Sequence, residues 1–197
     1  MKKRIYALIL GGIFALAGCP LTSIAQTAST AEPTTVTKGK PYKENWANTK
    51  VILKKKIWTV EDKNNDNNTW EDLDAGAPAY NGANATVNAD DWLVSPPLHL
   101  IAGQTYALEA GAVVGGHSGT GQRMNIAYGT GDDPTTYNEI VPTTPISGTA
   151  FGTPTTIKTT FTPTETGDYR IGFHAVSDRP GYIIMRPVKV EEAAETS

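Results

Sequence analysis

Asp62, Asn64, Asp66 and Asn68 put an oxygen-bearing side chain at every second position of Asp62-Lys63-Asn64-Asn65-Asp66-Asn67-Asn68-Thr69-Trp70. That spacing lets a tight loop turn several hard ligands toward one cation. Calcium takes about six to eight oxygens at about 2.3–2.6 Å, and backbone carbonyls or water can complete the set. The stretch is not an EF-hand, because the sixth place holds Asn67 instead of Gly and the twelfth holds Leu73 instead of a bidentate Glu. Asn67 can still supply a left-handed turn. Two readings stay open: a calcium loop of another type with those four residues as metal ligands, or a plain Asx-rich turn between two strands.

The remaining reactive residue types lack catalytic spacing. His99, His117 and His174 are the only histidines, and none belongs to an HExxH pair, which argues against a zinc hydrolase. His174 falls inside Gly172-Phe173-His174-Ala175-Val176, where a histidine on a strand face is structural. Gly116-His117-Ser118-Gly119-Thr120 lacks the closing Gly of a nucleophile elbow and the Lys of a phosphate loop, so it reads as a connector. Asp72/Asp74 and Asp132/Asp133 are paired carboxylates, but a glycosidase needs its pair about 5–10 Å apart across a cleft. Adjacency alone does not build that. Asp132-Asp133-Pro134 reads as a solvated turn, no catalytic residue is assigned, and the chain is expected not to be an enzyme.

These residues must be positioned by strands. The 197 residues include 27 Thr, 19 Gly and 13 Pro, a composition that favours strands and turns over a helical bundle. Short strand-like runs recur at Val51-Ile52-Leu53, Ile57 to Val60, Asp91 to Ser95, Thr105 to Val114, Arg123 to Tyr128, Ile157 to Phe161, Asp168 to Val176 and Tyr182 to Val190. Alternation is clearest at Tyr106, Leu108 and Ala110, which share one face, and at Met124, Ile126 and Tyr128. Turn-rich connectors separate the runs at 115–121, 129–134, 142–154 and 177–181. The expectation is an all-β fold, an antiparallel β-sandwich of jelly-roll topology.

The N-terminus reads as an export signal over 1–25. Lys2, Lys3 and Arg4 precede an apolar stretch from Ile5 to Ala17, which is too short for a comfortable bilayer span. Leu16-Ala17-Gly18-Cys19 has the form of a lipobox with Cys19 as the lipidated residue. Ser23-Ile24-Ala25 is an alternative cleavage site that would leave Gln26 first. With one Cys in the chain, no internal disulfide forms. Residues 26–40 read as a flexible Thr/Pro-rich tether, 41–192 as a single β-sandwich domain and 193–197 as a tail. Without the signal the charge is about −6, with no basic stripe, so nucleic acid is not the partner.

The run Trp58-Thr59-Val60-Glu61-Asp62, then Asn64-Asn65-Asp66 and Thr69-Trp70, is followed by Asp90-Asp91-Trp92-Leu93-Val94-Ser95-Pro96-Pro97-Leu98. With Ala102-Gly103-Gln104-Thr105-Tyr106-Ala107-Leu108 and the segment from Thr166 to Asp178, these motifs resemble the Bacteroidetes cleaved-adhesin or choice-of-anchor J family. The resemblance runs over roughly residues 42–190. It implies a galactose-binding-like jelly roll that serves as a non-catalytic surface module, in some members with structural calcium. Where the family commonly carries an aromatic-Val-Asp-Asp-Ile strand, this chain has Ile184-Met185-Arg186-Pro187-Val188, and Arg186 would repel a cation held nearby.

The physical reading agrees on core aromatics: Trp58, Trp70 and Trp92 are expected between the sheets. The expected function is an exported module, lipid-anchored or secreted, that binds a glycan or a surface protein at the cell envelope. Membrane contact would come only through an N-terminal lipid anchor, and Ca2+ is the only cofactor in view. Tyr80, Tyr128 and Tyr137, beside Gly- or Asp-rich turns, are candidates for sugar contact or for rim packing. An accessory lipoprotein subunit and a small glycan hydrolase are the alternatives.

Overall fold

Apolar side chains at every second position build both sheets. The computed structural model describes residues 28–73, 76–115, 121–147, 153–178 and 180–194. Residues 1–25, read as an export signal with Cys19, and also Asp74 and His117, lie outside the described residues. In chain order the strands are β1 (Thr34–Thr35), β2 (Tyr42–Glu44), β3 (Thr59–Asp62), β4 (Trp70–Asp72), β5 (Pro78–Asn81), β6 (Asp91–Val94), β7 (Leu98–Leu100), β8 (Tyr106–Gly115), β9 (Arg123–Thr130), β10 (Asn138–Pro145), β11 (Thr155–Phe161), β12 (Gly167–Ala175) and β13 (Tyr182–Glu192). A short helix, α1 (Thr49–Lys54), stands between β2 and β3.

In the seven-stranded sheet, β12 pairs along its length with β9, which carries β10 at its far side. The other side of β12 takes β7 at its start and β6 at its end. Beyond these lie β1 on β7 and β3 on β6. The six-stranded sheet runs β11-β8-β13-β5-β4, with β2 also on β13. All pairings are antiparallel except β1 with β7. The result is an antiparallel β-sandwich of the jelly-roll kind.

Ile126, Ile171 and Phe173 of one sheet and Leu108, Ile183 and Val190 of the other are buried in one shared core. The expected alternation holds: Tyr106, Leu108 and Ala110 point inward while Glu109 is exposed. Trp58 and Trp70 lie in this core. Trp92 is buried elsewhere, with Val94, Ala127 and Tyr137 on the opposite face of the seven-stranded sheet. The parity of β6 requires this, since Leu93 faces the core and its neighbours must face away.

Val51-Ile52-Leu53 is not a strand but the body of α1. Three apolar residues carry no periodicity that separates strand from helix. The helix ends in a Schellman motif: Ile57 N–H donates to Ile52 O and Lys56 N–H to Leu53 O, with Lys56 at φ 54° in the left-handed region. The segment read as a flexible tether over 26–40 is instead held against the body from Ser29 onward. Thr34 N–H donates to Pro97 O, Val36 N–H to His99 O, and Val36 is fully buried. Backbone addition to a sheet edge asks little of side chains, so composition does not reveal it.

Candidate cation site

Asp62 ends β3 and Asp91 begins β6, and the two are register partners. Their side chains therefore leave the same face of the sheet, the face that Leu93 uses to enter the core. The loop after Asp62 crosses to β4 in the other sheet and covers this end of the sandwich. Trp70 fastens it, its indole N–H donating to Asp91 O at 3.0 Å.

The loop is built from Asx turns. Asp66 N–H donates to Asp62 Oδ1 and Asn64 Oδ1, Asn67 N–H to Asp62 Oδ2 at 2.9 Å, and Asn68 N–H to Asp66 Oδ1 at 2.8 Å. Asn65 and Asn67 take φ 56° and 64°, as the turn chemistry of asparagine allows. Asn64 also donates its amide to Asn88 O, and Asn68 donates its own to Asp66 O. Of the four residues singled out by spacing, two asparagines thus spend amide groups on the backbone, and Asp62 has both oxygens on loop N–H groups.

What the loop leaves over is acceptor capacity. Asp66 Oδ2, Thr69 Oγ1 and Asp91 Oδ1 are buried and make no hydrogen bond. Asp91 itself is fully buried. Burial pushes its carboxyl up to about 7, and the negative charges of Asp62 and Asp66 add to this. The Thr69 hydroxyl beside it and the Asp90 N–H act the other way. The hydroxyl closes no hydrogen bond of ordinary geometry. The same carboxylates, after burial, hold the neighbouring Tyr80 phenol above its usual range.

Unpaired acceptors crowded in a buried place are costly, and a hard divalent cation is the partner that satisfies several at once. Asp66, Asp91 and Thr69 supply the oxygens left without protein partners, with Asp62 beside them. Among the described residues no three His, Cys, Asp or Glu side chains are placed to hold a metal ion by themselves. Carbonyls and water would complete the shell. Asp91 is the residue that loop spacing missed; its signal was a lone charge opening an otherwise apolar strand, Asp91-Trp92-Leu93-Val94. Arg186 lies on β13, in the six-stranded sheet. It sits at the β13 bulge, packed against Gly111.

On the outer face, Trp92 stacks on His174 with centroids 4.0 Å apart, and His174 Nε2 lies 2.7 Å from Asp90 Oδ1. Burial lowers the His174 pKa while Asp90 and Glu139 oppose the drop. It is thus held on β12 between Trp92 and Asp90. Gly129 and Gly172 leave room for the ring of Tyr137, which a Cβ at Gly129 would meet at 2.4 Å. Asp132 pairs with Arg170 at 3.0 Å, while Asp133 caps the 3-10 turn Pro134–Thr136 and contacts Lys63. That pair holds a turn. His99 pairs with Asp168 at 2.8 Å.

Tyr80 packs edge-on against Trp70 in the core, Tyr137 against Trp92, and Tyr128 against Phe161 and Tyr169. Tyr80 and Tyr137 are buried by this packing, and Tyr128 is half-buried. An open groove of about 530 Å³ instead crosses the outer face of the six-stranded sheet. Glu109 of β8, Lys158 and Thr160 of β11, and Lys189 and Glu191 of β13 line it. Glu109 and Lys158 approach to 3.1 Å and Lys189 and Glu191 to 2.6 Å.

The sandwich is similar in fold to solved adhesin and carbohydrate-binding domains. The K1 cleaved adhesin domain of Lys-gingipain from Porphyromonas gingivalis matches with a TM-score of 0.59 at 18% identity, over 78% of this chain and 99% of that one. The K2 cleaved adhesin domain of Lys-gingipain gives 0.58 at 13% identity, over 76% and 98%. A carbohydrate-binding module, BiXyn10A CBM1, gives 0.52 at 13% identity, over 77% and 97%. The shared property is the fold. No family model matches the sequence, and no curated protein matches it.

Proposed function

We propose that the chain is a non-catalytic glycan-binding module of the cell envelope, exported by residues 1–25 and completed by calcium at its acidic end. The observation that carries the reading is the sandwich itself, shared with cleaved adhesin domains and a carbohydrate-binding module over nearly the whole length of each. The groove across β11, β8 and β13 supports it with alternating ammonium, carboxylate and hydroxyl groups. These can donate to and accept from sugar hydroxyls along an extended chain. Calcium at Asp66, Asp91 and Thr69, beside Asp62, would neutralise the buried charge and hold the loop between the sheets.

The test incubates the protein with a panel of polysaccharides and measures retained protein and newly formed reducing ends in the same tubes. Retention on at least one polysaccharide without new reducing ends is expected. Replacing Lys158 and Lys189 together by Ala should weaken that retention by about tenfold or more. New reducing ends would contradict the non-catalytic reading. No retention on any polysaccharide would move the search to a surface-protein partner.

A further inference from the structure

We propose that the lysine-rich turn at the end of α1 docks onto an anionic phospholipid surface. Lys50, Lys54, Lys55 and Lys56 are all exposed, and Val51 between them is 45% exposed. Among the described residues none of these four lysines makes an ion pair, whereas Lys63, Lys158 and Lys189 each hold a carboxylate. Asp72 shares a shallow hollow with Lys50, and the run from Lys54 to Lys56 carries no acid of its own. Four lysines without an ion pair thus fall within residues 50–56 on a chain that is acidic overall.

The occupant follows from where the chain enters. Ser29 Oγ donates to Ile57 O at 2.8 Å, Thr30 N–H to Lys56 O at 3.0 Å and Thr30 Oγ1 to Lys55 O at 2.5 Å. The segment arriving from the export signal is therefore fastened to this same turn. Residues 20–28 separate Cys19 from Ser29, and nine residues reach about 30 Å at most. A lipid on Cys19 would hold the lysines beside the bilayer, where a single acyl chain gains from a polybasic partner. The cation loop lies at the other end of β3 from this turn, so docking leaves it free.

Lys56 adds a second observation. It occupies the left-handed position after the helix, where glycine is the ordinary residue and any side chain costs backbone energy. Lys56→Gly should therefore raise the melting temperature while weakening membrane binding. A purely structural residue would not separate the two readouts.

The experiment sediments the full chain with vesicles of phosphatidylcholine, with and without phosphatidylglycerol, at low and high salt. The wild-type chain should prefer the anionic vesicles and lose that preference in high salt. Replacing Lys54, Lys55 and Lys56 by Gln should weaken anionic-vesicle binding by about tenfold or more, and Lys56→Gly alone by about fivefold. Lys2, Lys3 and Arg4 remain in every variant, so the differences report the turn. Polysaccharide retention should be unchanged in these variants, which keeps this proposal separable from glycan binding. Equal binding of wild type and triple variant to anionic vesicles would overturn it. So would retention by an acidic polysaccharide through these lysines with no preference between the two vesicle types.

Discussion

Under the proposed calcium site, calcium should raise the melting temperature of the wild-type chain and Asp91→Asn should abolish that rise, while leaving the calcium-free protein at least as stable at pH 8. The Asp91 carboxyl is fully buried, with Oδ1 unpaired and Asp62 and Asp66 close by. Its folded-state pKa is raised from 3.8 to about 7. The folded chain therefore holds this proton more tightly than the unfolded one. The stability it contributes is complete below about pH 3.8 and is lost as pH rises through about 7. The full loss is on the order of 4 kcal/mol at most.

In chelator the wild type should thus weaken between pH 4 and 7, and the Asn variant, with nothing to ionise there, should show less of that slope. Calcium at about a hundred times its dissociation constant would restore about 2.7 kcal/mol to the wild type. For a chain of this size that is a rise of roughly 5–10 °C. Melting curves in calcium and in chelator, at acid and alkaline pH, read all four corners. A calcium gain retained in Asp91→Asn would show that the ion, if bound, sits elsewhere.

Trp58→Ala should cost about 3–5 kcal/mol. The side chain is fully buried between Trp46, at 4.8 Å, and Phe173, at 6.0 Å. Its indole N–H donates to the Tyr42 hydroxyl at 3.1 Å. Truncation opens a large cavity between the sheets and removes that donor from a phenol whose pKa is already held high, first by burial and then by Glu44. Urea unfolding followed by far-ultraviolet circular dichroism measures the change. A loss under about 1 kcal/mol would mean that the core can collapse around the missing ring.

The long strands were legible because their alternation is long. β8, β9, β11, β12 and β13 all coincide with runs visible in the sequence, and in β8 the buried residues are the expected Tyr106, Leu108 and Ala110. Of the short strands, β3 and β6 fall on the runs Ile57 to Val60 and Asp91 to Ser95, but others were not legible. Leu98–Leu100 and Pro78–Asn81 are too brief to show a period, and both draw on hydrogen bonds to β12 or β13 that no local pattern encodes. The second half of Asn138–Pro145 falls in the connector read over 142–154, because its prolines and threonines resemble a loop, yet the strand pairs with β9 through two register shifts. Prolines are tolerated at such an edge.

The site was half legible. Spacing singled out Asp62, Asn64, Asp66 and Asn68 alike, and the fold then puts both Asp62 oxygens and Asn64 Oδ1 on loop N–H groups while leaving Asp66 Oδ2 unpaired. Asp91 lies more than twenty residues away and meets the loop only through the β3–β6 register. Trp92 was rightly buried but assigned to the wrong face, since tryptophan content gives no parity. Tyr80, Tyr128 and Tyr137 illustrate the same limit, because a tyrosine beside a turn has one sequence signature whether it packs or binds.

The measurement that bears most directly on the central claim is a glycan-array screen of the chain, run in calcium and again in chelator, with Asp91→Asn alongside. The account predicts binding to a defined glycan class in calcium, weakened in chelator and equally weak in the variant under both conditions. No glycan bound by the wild type in calcium would contradict it.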